Sequence, residues 1–144
     1  MQLTRAADYA VRVMIHLAGI PPGTRVSRAE LADAAECPEQ FLSKVLQGLT
    51  RSGLIVSHRG NTGGFELPPS HRSASVLDVV EAIEGPLRLN VCTGSNHSCT
   101  RQDWCPAHVV WASAQTAMSD VLKAATVDQL ARRAAADGPL VEGP

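Results

Sequence analysis

Apolar residues recur at three- and four-residue spacing at the start of the chain: Leu3, Ala7, Ala10, Met14 and Leu17. That period predicts an amphipathic helix over 2–19, with Arg5, Asp8, Arg12 and His16 on another face. Ile20-Pro21-Pro22-Gly23 ends it. Ser27-Arg28-Ala29-Glu30 reads as a capping box, with Ser27 accepting from the Glu30 amide and Glu30 returning a bond. It opens a short helix over about 28–35. After the turn Glu36-Cys37-Pro38, a third helix starts at Pro38 and runs to about Ser52, with Gly53 as its stop. Two helices joined by so tight a turn form a helix-turn-helix pattern.

The period then shortens. Leu54-Ile55-Val56 and Phe65-Glu66-Leu67 read as strands on either side of Arg59-Gly60-Asn61-Thr62-Gly63-Gly64. The result is a β-hairpin with a basic, glycine-rich tip, which turns the helix-turn-helix into a winged helix. Ser75-Val76-Leu77-Asp78 opens another helix, and Gly85-Pro86 closes it. From Pro106 a long helix carries Ala107, Val110, Trp111, Ala114, Met118, Val121, Leu122 and Ala125 on one stripe. A small domain cannot bury that whole face alone, so a homodimer is expected. Thr126-x-x-Gln129 begins a short helix to about Ala136. The expected fold is therefore mostly α with a small β-hairpin. Residues 1–86 form the winged helix-turn-helix, 87–108 a cysteine-rich loop, 106–136 a dimerisation helix and short C-terminal helix, and 137–144 a disordered tail.

A chain of 144 residues is expected to make one domain, or one small domain with an appended helix, and buries roughly 70% of its unfolded surface. It needs no metal merely to fold. It has no apolar run of membrane-spanning length, and Arg5, Asp8 and Arg12 break up any signal-peptide layout. The expected location is the cytoplasm, where thiols stay reduced. The net charge of −1 divides into +2 over residues 1–72 and −3 over 73–144. The mildly basic first half permits nucleic-acid binding. With five aromatic residues in all, stacking on single strands is a poor binding mode.

Three of the four cysteines, Cys92, Cys99 and Cys105, lie within fourteen residues, and His108 follows. Gly94, Ser95, Asn96, Ser98, Thr100 and Asp103 between them read as loop. Clustered thiols in a reducing compartment point to metal binding or redox chemistry. Thiolates suit iron–sulfur clusters, zinc or Cu(I). His97, inside the loop, is a further candidate ligand. Cys37, in the helix-turn-helix turn, reads as a small buried apolar residue.

On the third helix, Phe41, Leu42, Val45, Leu46 and Leu49 gather on the side expected to dock on the domain. Gln40, Ser43, Lys44, Gln47 and Arg51 gather opposite, without a carboxylate. Amides, hydroxyls and cations of this kind pair with base edges. Gln40, Ser43 and Lys44, near the helix start, are expected deepest in a major groove, and Gln47 and Arg51 at phosphates. Arg59 at the wing tip can enter a minor groove, and Arg28 is a further contact candidate.

These features together resemble the IscR/NsrR family of bacterial winged-helix regulators over about residues 1–130. The resemblance rests on Leu3-Thr4 with Asp8-Tyr9-Ala10-Val11-Arg12, on Phe41-Leu42-Ser43-Lys44-Val45-Leu46, and on Arg59-Gly60-x-x-Gly63-Gly64-Phe65. Val80-Glu81-Ala82-Ile83-Glu84-Gly85-Pro86-Leu87 and the cysteine loop complete it. It implies a homodimer on pseudo-palindromic double-stranded DNA, with binding controlled by an iron–sulfur cluster that reports redox state, nitric oxide or iron–sulfur status. Cys92, Cys99 and Cys105 match the ligand cysteines. His108 matches the fourth ligand of the biogenesis regulator, which implies [2Fe–2S]. Asp8 matches the aspartate that a nitric-oxide sensor supplies from its partner subunit, which implies [4Fe–4S]. Ser43 replaces a glutamate by which the biogenesis regulator separates promoter classes.

Two other readings compete. One keeps DNA binding but senses through zinc, which accepts three Cys and one His, or through reversible cysteine oxidation. The other is a thiol oxidoreductase, although the chain has no Cys-x-x-Cys and no glycine-rich nucleotide loop.

Overall fold

Thr4 accepts from the Ala7 amide and starts α1 (Arg5–Ala18). Its buried stripe keeps Ala7, Ala10, Met14 and Leu17 of the expected one and adds Val13 and Ala18, while Leu3 lies before the helix and is exposed. The model is a computed structural model that describes residues 2–94 and 99–137. Ser27 accepts from the Glu30 amide to start α2 (Arg28–Ala35). The return half of the expected capping box is replaced: the Glu30 carboxylate faces His16 Nε2 at 3.4 Å. Helix α3 (Glu39–Arg51) has Pro38 as its N-cap rather than its first residue. Gly53 follows with φ +82, the left-handed stop that glycine supplies.

Leu54 and Ile55 are buried core residues and precede the strand that sequence alone would begin with them. The strands are β1 (Val56–His58) and β2 (Gly64–Glu66), antiparallel with Ser57 opposite Phe65. Phe65 also pairs with Val26 through two backbone bonds of 2.9 and 2.8 Å. The wing is thereby tied to the segment that leads into α2. His58 Nε2 lies 2.8 Å from the Glu66 carboxylate across the hairpin.

Helix α4 (Val76–Glu84) carries the complete capping box between Ser75 and Asp78, and Gly85 closes it at φ +78. Two long helical segments follow, α5 (Pro106–Ala124) and α6 (Val127–Asp137). The core gathers Met14 and Leu17 of α1, Leu31 of α2, Leu42, Val45 and Leu49 of α3, and Ile55. Each such side chain contributes about 1.5–3 kcal/mol on burial. Helix α6 folds back on α1 and buries Val127 and Ala131 in this core. Arg72 donates to the carbonyls of Ala18 and Ile20 and so caps the C-terminal end of α1.

The expected single apolar stripe on α5 divides. Met118 and Leu122 pack on a second cluster of Ala7, Val80 and Leu87 within the same chain. Val110 and Val121 point away, 61% and 70% exposed. The end of α5 is fixed by Val76 N–H to Ala125 C=O at 2.8 Å and Val127 N–H to Ala74 C=O at 2.9 Å. Residues 138–144, where most of the expected tail falls, lie outside the described residues. Among the described residues, no helix is long and apolar enough to cross a membrane.

Candidate nucleic-acid interface and cysteine loop

Helix α3 docks through Leu42, Val45, Leu46 and Leu49, which are buried. Phe41 departs from the expected pattern. It is 37% exposed and meets the Tyr9 ring edge-on, with centroids 5.6 Å apart. This geometry places its ring at the rim of the α1–α3 seam rather than in the core. The polar side of α3 faces outward, with Gln40, Lys44, Gln47 and Arg51 exposed. Ser43 donates its hydroxyl to the Glu39 carbonyl at 3.4 Å.

Helix α3 and the wing enclose an open groove of about 490 Å³. Arg28, Ser43, Gln47, Arg51 and Arg59 all line it, with Phe65 at its base. Five of the seven sequence-predicted contact residues thus share one concavity. Gln40 and Lys44 lie on α3 but do not line the groove. No carboxylate lines it, so cationic side chains set its charge, as a polyanion requires.

Cys37, in the turn before α3, is buried and donates to the Pro38 carbonyl at 3.4 Å. Burial pushes its thiol pKa up, partly offset by the Arg12 charge. It behaves as the small apolar residue that its position suggests.

The cysteine loop is held at its entry by Gln115 of α5. Its amide donates to the Leu87 carbonyl, and its carbonyl accepts from the Leu89 amide. Cys92 is buried within a single 3-10 turn, Val91–Thr93. The sequence predicts loop here, and mutual capping by Asn90 and Thr93 creates the turn instead. Cys99 accepts at its carbonyl from the Gln102 amide at 3.3 Å. Cys105 is the N-cap residue of α5, and its amide bonds to the Arg101 carbonyl at 2.8 Å. His108 stands in the first turn of α5, with its backbone N–H on the Cys105 carbonyl at 3.1 Å. Its ring Nδ1 is buried and has no hydrogen-bond partner among the described residues. All four cysteines carry free thiols.

Asp8, on α1, forms an i,i+4 ion pair with Arg12 at 2.9 Å. Arg12 also donates to the Ala35 carbonyl at 3.1 Å and lies over the Tyr9 ring. No three His, Cys, Asp or Glu side chains among the described residues converge closely enough to hold a metal ion. His97 lies outside the described residues.

Sequence reasoning missed Gln115, Gln102 and Arg25. Each acts through a partner distant in the chain or through burial, which local periodicity does not encode. The Gln102 side-chain carbonyl oxygen, like His108 Nδ1, is buried without a partner among the described residues.

The family model of iron-dependent transcriptional regulators named Rrf2 matches residues 3–133. An HTH-type transcriptional regulator of Mycobacterium tuberculosis is 42% identical over 87 residues, 60% of this chain. That match spans 54% of the relative, so the chain corresponds to about half of its length. The protein aau3 of Rhizobium meliloti is 34% identical over 134 residues, 92% of this chain and 86% of its own. Among solved structures, the cysteine regulator CymR of B. subtilis superposes with a TM-score of 0.73 at 23% identity, covering 92% of this chain and 98% of that one. IscR of T. potens superposes with a TM-score of 0.70 at 24% identity, covering 99% and 94%. At these identities the two structures establish the winged-helix fold. The family match and the sequence relatives set the oxidoreductase reading aside. The chain belongs to the Rrf2 family of transcriptional regulators.

Proposed function

We propose that the protein is a homodimeric regulator whose binding to a pseudo-palindromic DNA operator is controlled by an iron–sulfur cluster. The observation that carries the cluster half of this reading is the buried Nδ1 of His108, one turn beyond Cys105, which has no hydrogen-bond partner among the described residues. A buried nitrogen without a partner costs about 1–3 kcal/mol, and a metal ligand bond offsets that cost. By chemical type, Cys92, Cys99, Cys105 and His108 are the three-thiol, one-imidazole donor set that would hold a [2Fe–2S] cluster, and their side chains would have to draw together around it. A bound cluster supplies one-electron chemistry, with a potential raised by the nitrogen ligand. Asp8 as fourth ligand would require release from Arg12 and would favour [4Fe–4S]; its present ion pair speaks for His108.

The chain's own residues supply the rest. Gln40, Ser43 and Lys44 read base edges in the major groove. Arg51 and Arg28 neutralise phosphates, to which the Gln47 amide also donates, and Arg59 enters the minor groove from the wing. The cysteine loop links α4 to α5 and is pinned to α5 by Gln115. A change in the loop therefore acts on the helix that presents the second subunit. To act as a switch, the two loop states must differ in DNA affinity by more than about tenfold, or about 1.4 kcal/mol.

Protein purified without oxygen tests this, by its visible absorption and by iron and sulfide assays. Bands in the visible with matching iron and sulfide support the cluster, and two irons per subunit favour His108 over Asp8. A colourless protein with zinc, or with no metal after anaerobic reconstitution, overturns it in favour of zinc or thiol sensing.

A further inference from the structure

Three consecutive residues join the two halves of the DNA-binding surface. Arg25 reaches from the loop before α2 to the wing tip, where its Nη1 donates to the Thr62 carbonyl at 3.1 Å. Val26 pairs with Phe65 of β2 through both of its backbone groups. Ser27 caps α2, the helix that leads into α3. The contact between wing and loop is close: a Cβ at Gly64 would come within 2.7 Å of the Val26 carbonyl oxygen.

Beyond Phe65 the base of the wing is held by its strand pairing and the His58–Glu66 contact at 2.8 Å, and the tip by less. The strands are three residues each, and the tip closes by one local bond from Gly63 N–H to Gly60 C=O at 2.9 Å. Gly60 (φ +98) and Gly64 (φ +141) both adopt backbone that favours glycine, so the tip gains no stiffness from side chains. Arg59, the expected minor-groove residue, sits at the start of this turn. The Arg25 bond closes across the far side of the same turn. Arg25 has no carboxylate partner among the described residues, so Thr62 is its fixed contact.

We infer that Arg25 is a positioning residue for DNA recognition: its bond to the Thr62 carbonyl holds the wing tip so that Arg59 is presented to the minor groove. The inference rests on the DNA-binding reading above. A guanidinium suits the role, because it keeps its charge and offers a planar fork of donors to a carbonyl. A bond of this kind between ordered groups contributes about a fivefold change in an equilibrium.

The experiment combines two readouts on the full chain. The first is amide hydrogen exchange in the free protein, which needs no DNA. Arg25→Ala and Arg25→Met are expected to speed exchange at the Gly63 and Phe65 amides and leave α3 unchanged. The second is affinity for a duplex that the wild-type protein selects from a random-sequence pool, measured across salt concentrations. Arg25→Ala is expected to weaken binding about fivefold, and Arg25→Ala with Arg59→Ala to bind no worse than Arg59→Ala alone and with the same salt slope. A direct phosphate contact of Arg25 instead lowers the slope of the double variant by about one unit below that of Arg59→Ala, and that result overturns the inference. So do unchanged exchange at Gly63 and Phe65, or losses at Arg25 and Arg59 that multiply. Failure of the wild type to select any duplex strikes the DNA-binding reading itself, and the exchange result still stands apart from it.

Discussion

Gln102 and His108, six residues apart, each bury a polar side-chain atom with no partner among the described residues. They flank Cys105, which begins α5. Folded proteins leave few such atoms, and each has a physical reason. A site completed by a bound group is one such reason. Gln102→Leu separates stability from cluster retention. Removing the orphaned carbonyl is expected to stabilise the metal-free protein by about 1 kcal/mol, read as a higher urea midpoint. On the proposed cluster-binding reading, the same change is expected to shorten the life of a reconstituted cluster, read as faster loss of visible absorption under air. A loss of stability without the cluster would show that the Gln102 carbonyl already has a partner there.

Two glycines make opposite demands on space. A Cβ at Gly64 would strike the backbone oxygen of Val26 at 2.7 Å, at a φ of +141. Neither the backbone angle nor the carbonyl can yield cheaply, so Gly64→Ala is expected to cost about 2–4 kcal/mol. A Cβ at Gly48 of α3 would lie 2.8 Å from Ile83 Cδ1, the free end of a side chain on α4. Ile83 can change rotamer for about 0.5–1.5 kcal/mol, and alanine returns about 1 kcal/mol of helix propensity. Gly48→Ala is therefore expected to change stability by less than about 1 kcal/mol. Urea unfolding of the two variants checks the contrast.

Asp128 couples α6 to acid stability. Thr126 donates its hydroxyl to the Asp128 carboxylate, the Gln129 amide donates at 2.9 Å, and Arg132 lies at 3.4 Å. The Thr126 bond, with smaller help from Gln129 and Arg132, holds the carboxyl below the usual carboxylate range. A carboxyl lowered on folding adds stability that is fully present above its unfolded pKa of about 3.9. That stability is lost as pH falls through the lower folded value. Urea midpoints of wild type and Asp128→Asn are expected to differ at neutral pH and to converge in acid. A constant gap between them at every pH would exclude the coupling.

Much of this architecture is legible locally. Ser27, Gly53, Ser75 with Asp78, Gly85 and Pro106 mark helix ends through bonds or backbone angles that depend on nearby residues. Contacts between distant segments are not. Leu54 and Ile55 read as strand, but the Leu54 backbone N–H bonds back to the Leu49 carbonyl at 3.1 Å at the end of α3, and both side chains are buried in the core. Met118 and Leu122 match the rest of the α5 stripe in period, and only the position of Val80 and Leu87 shows that they pack at home. Glu36 holds a left-handed angle, φ +52, where glycine is the expected residue, so Pro38 alone marks the turn before α3 and nothing local marks the angle at Glu36. The groove residues were recoverable because their side of α3 is polar throughout and the wing tip is basic. The cysteine spacing marks the loop, but Gln102 and Gln115 matter through burial and long-range bonds that spacing does not carry.

Val110 and Val121 are eleven residues apart on α5, about three turns, and so share one face. Both are more than half exposed, and Ala114 and Ala117 between them are also exposed. Small residues between two valines allow a second helix to approach closely, and C2 pairing would cover the face with itself. Val110→Glu and Val121→Glu are each expected to weaken such a dimer by about 3–5 kcal/mol, the cost of an unpaired charge in a buried interface. Neither valine belongs to the core clusters, so each variant should fold with the wild-type far-UV spectrum. Light scattering after gel filtration then reports the mass. A shift from twice the chain mass to the chain mass supports pairing through this face. Salt titration of DNA binding adds a second check. One subunit covers half as many phosphates, so the slope of log affinity on log salt should fall by about half. A variant that remains dimeric with an unchanged slope would place the dimer contact on another face.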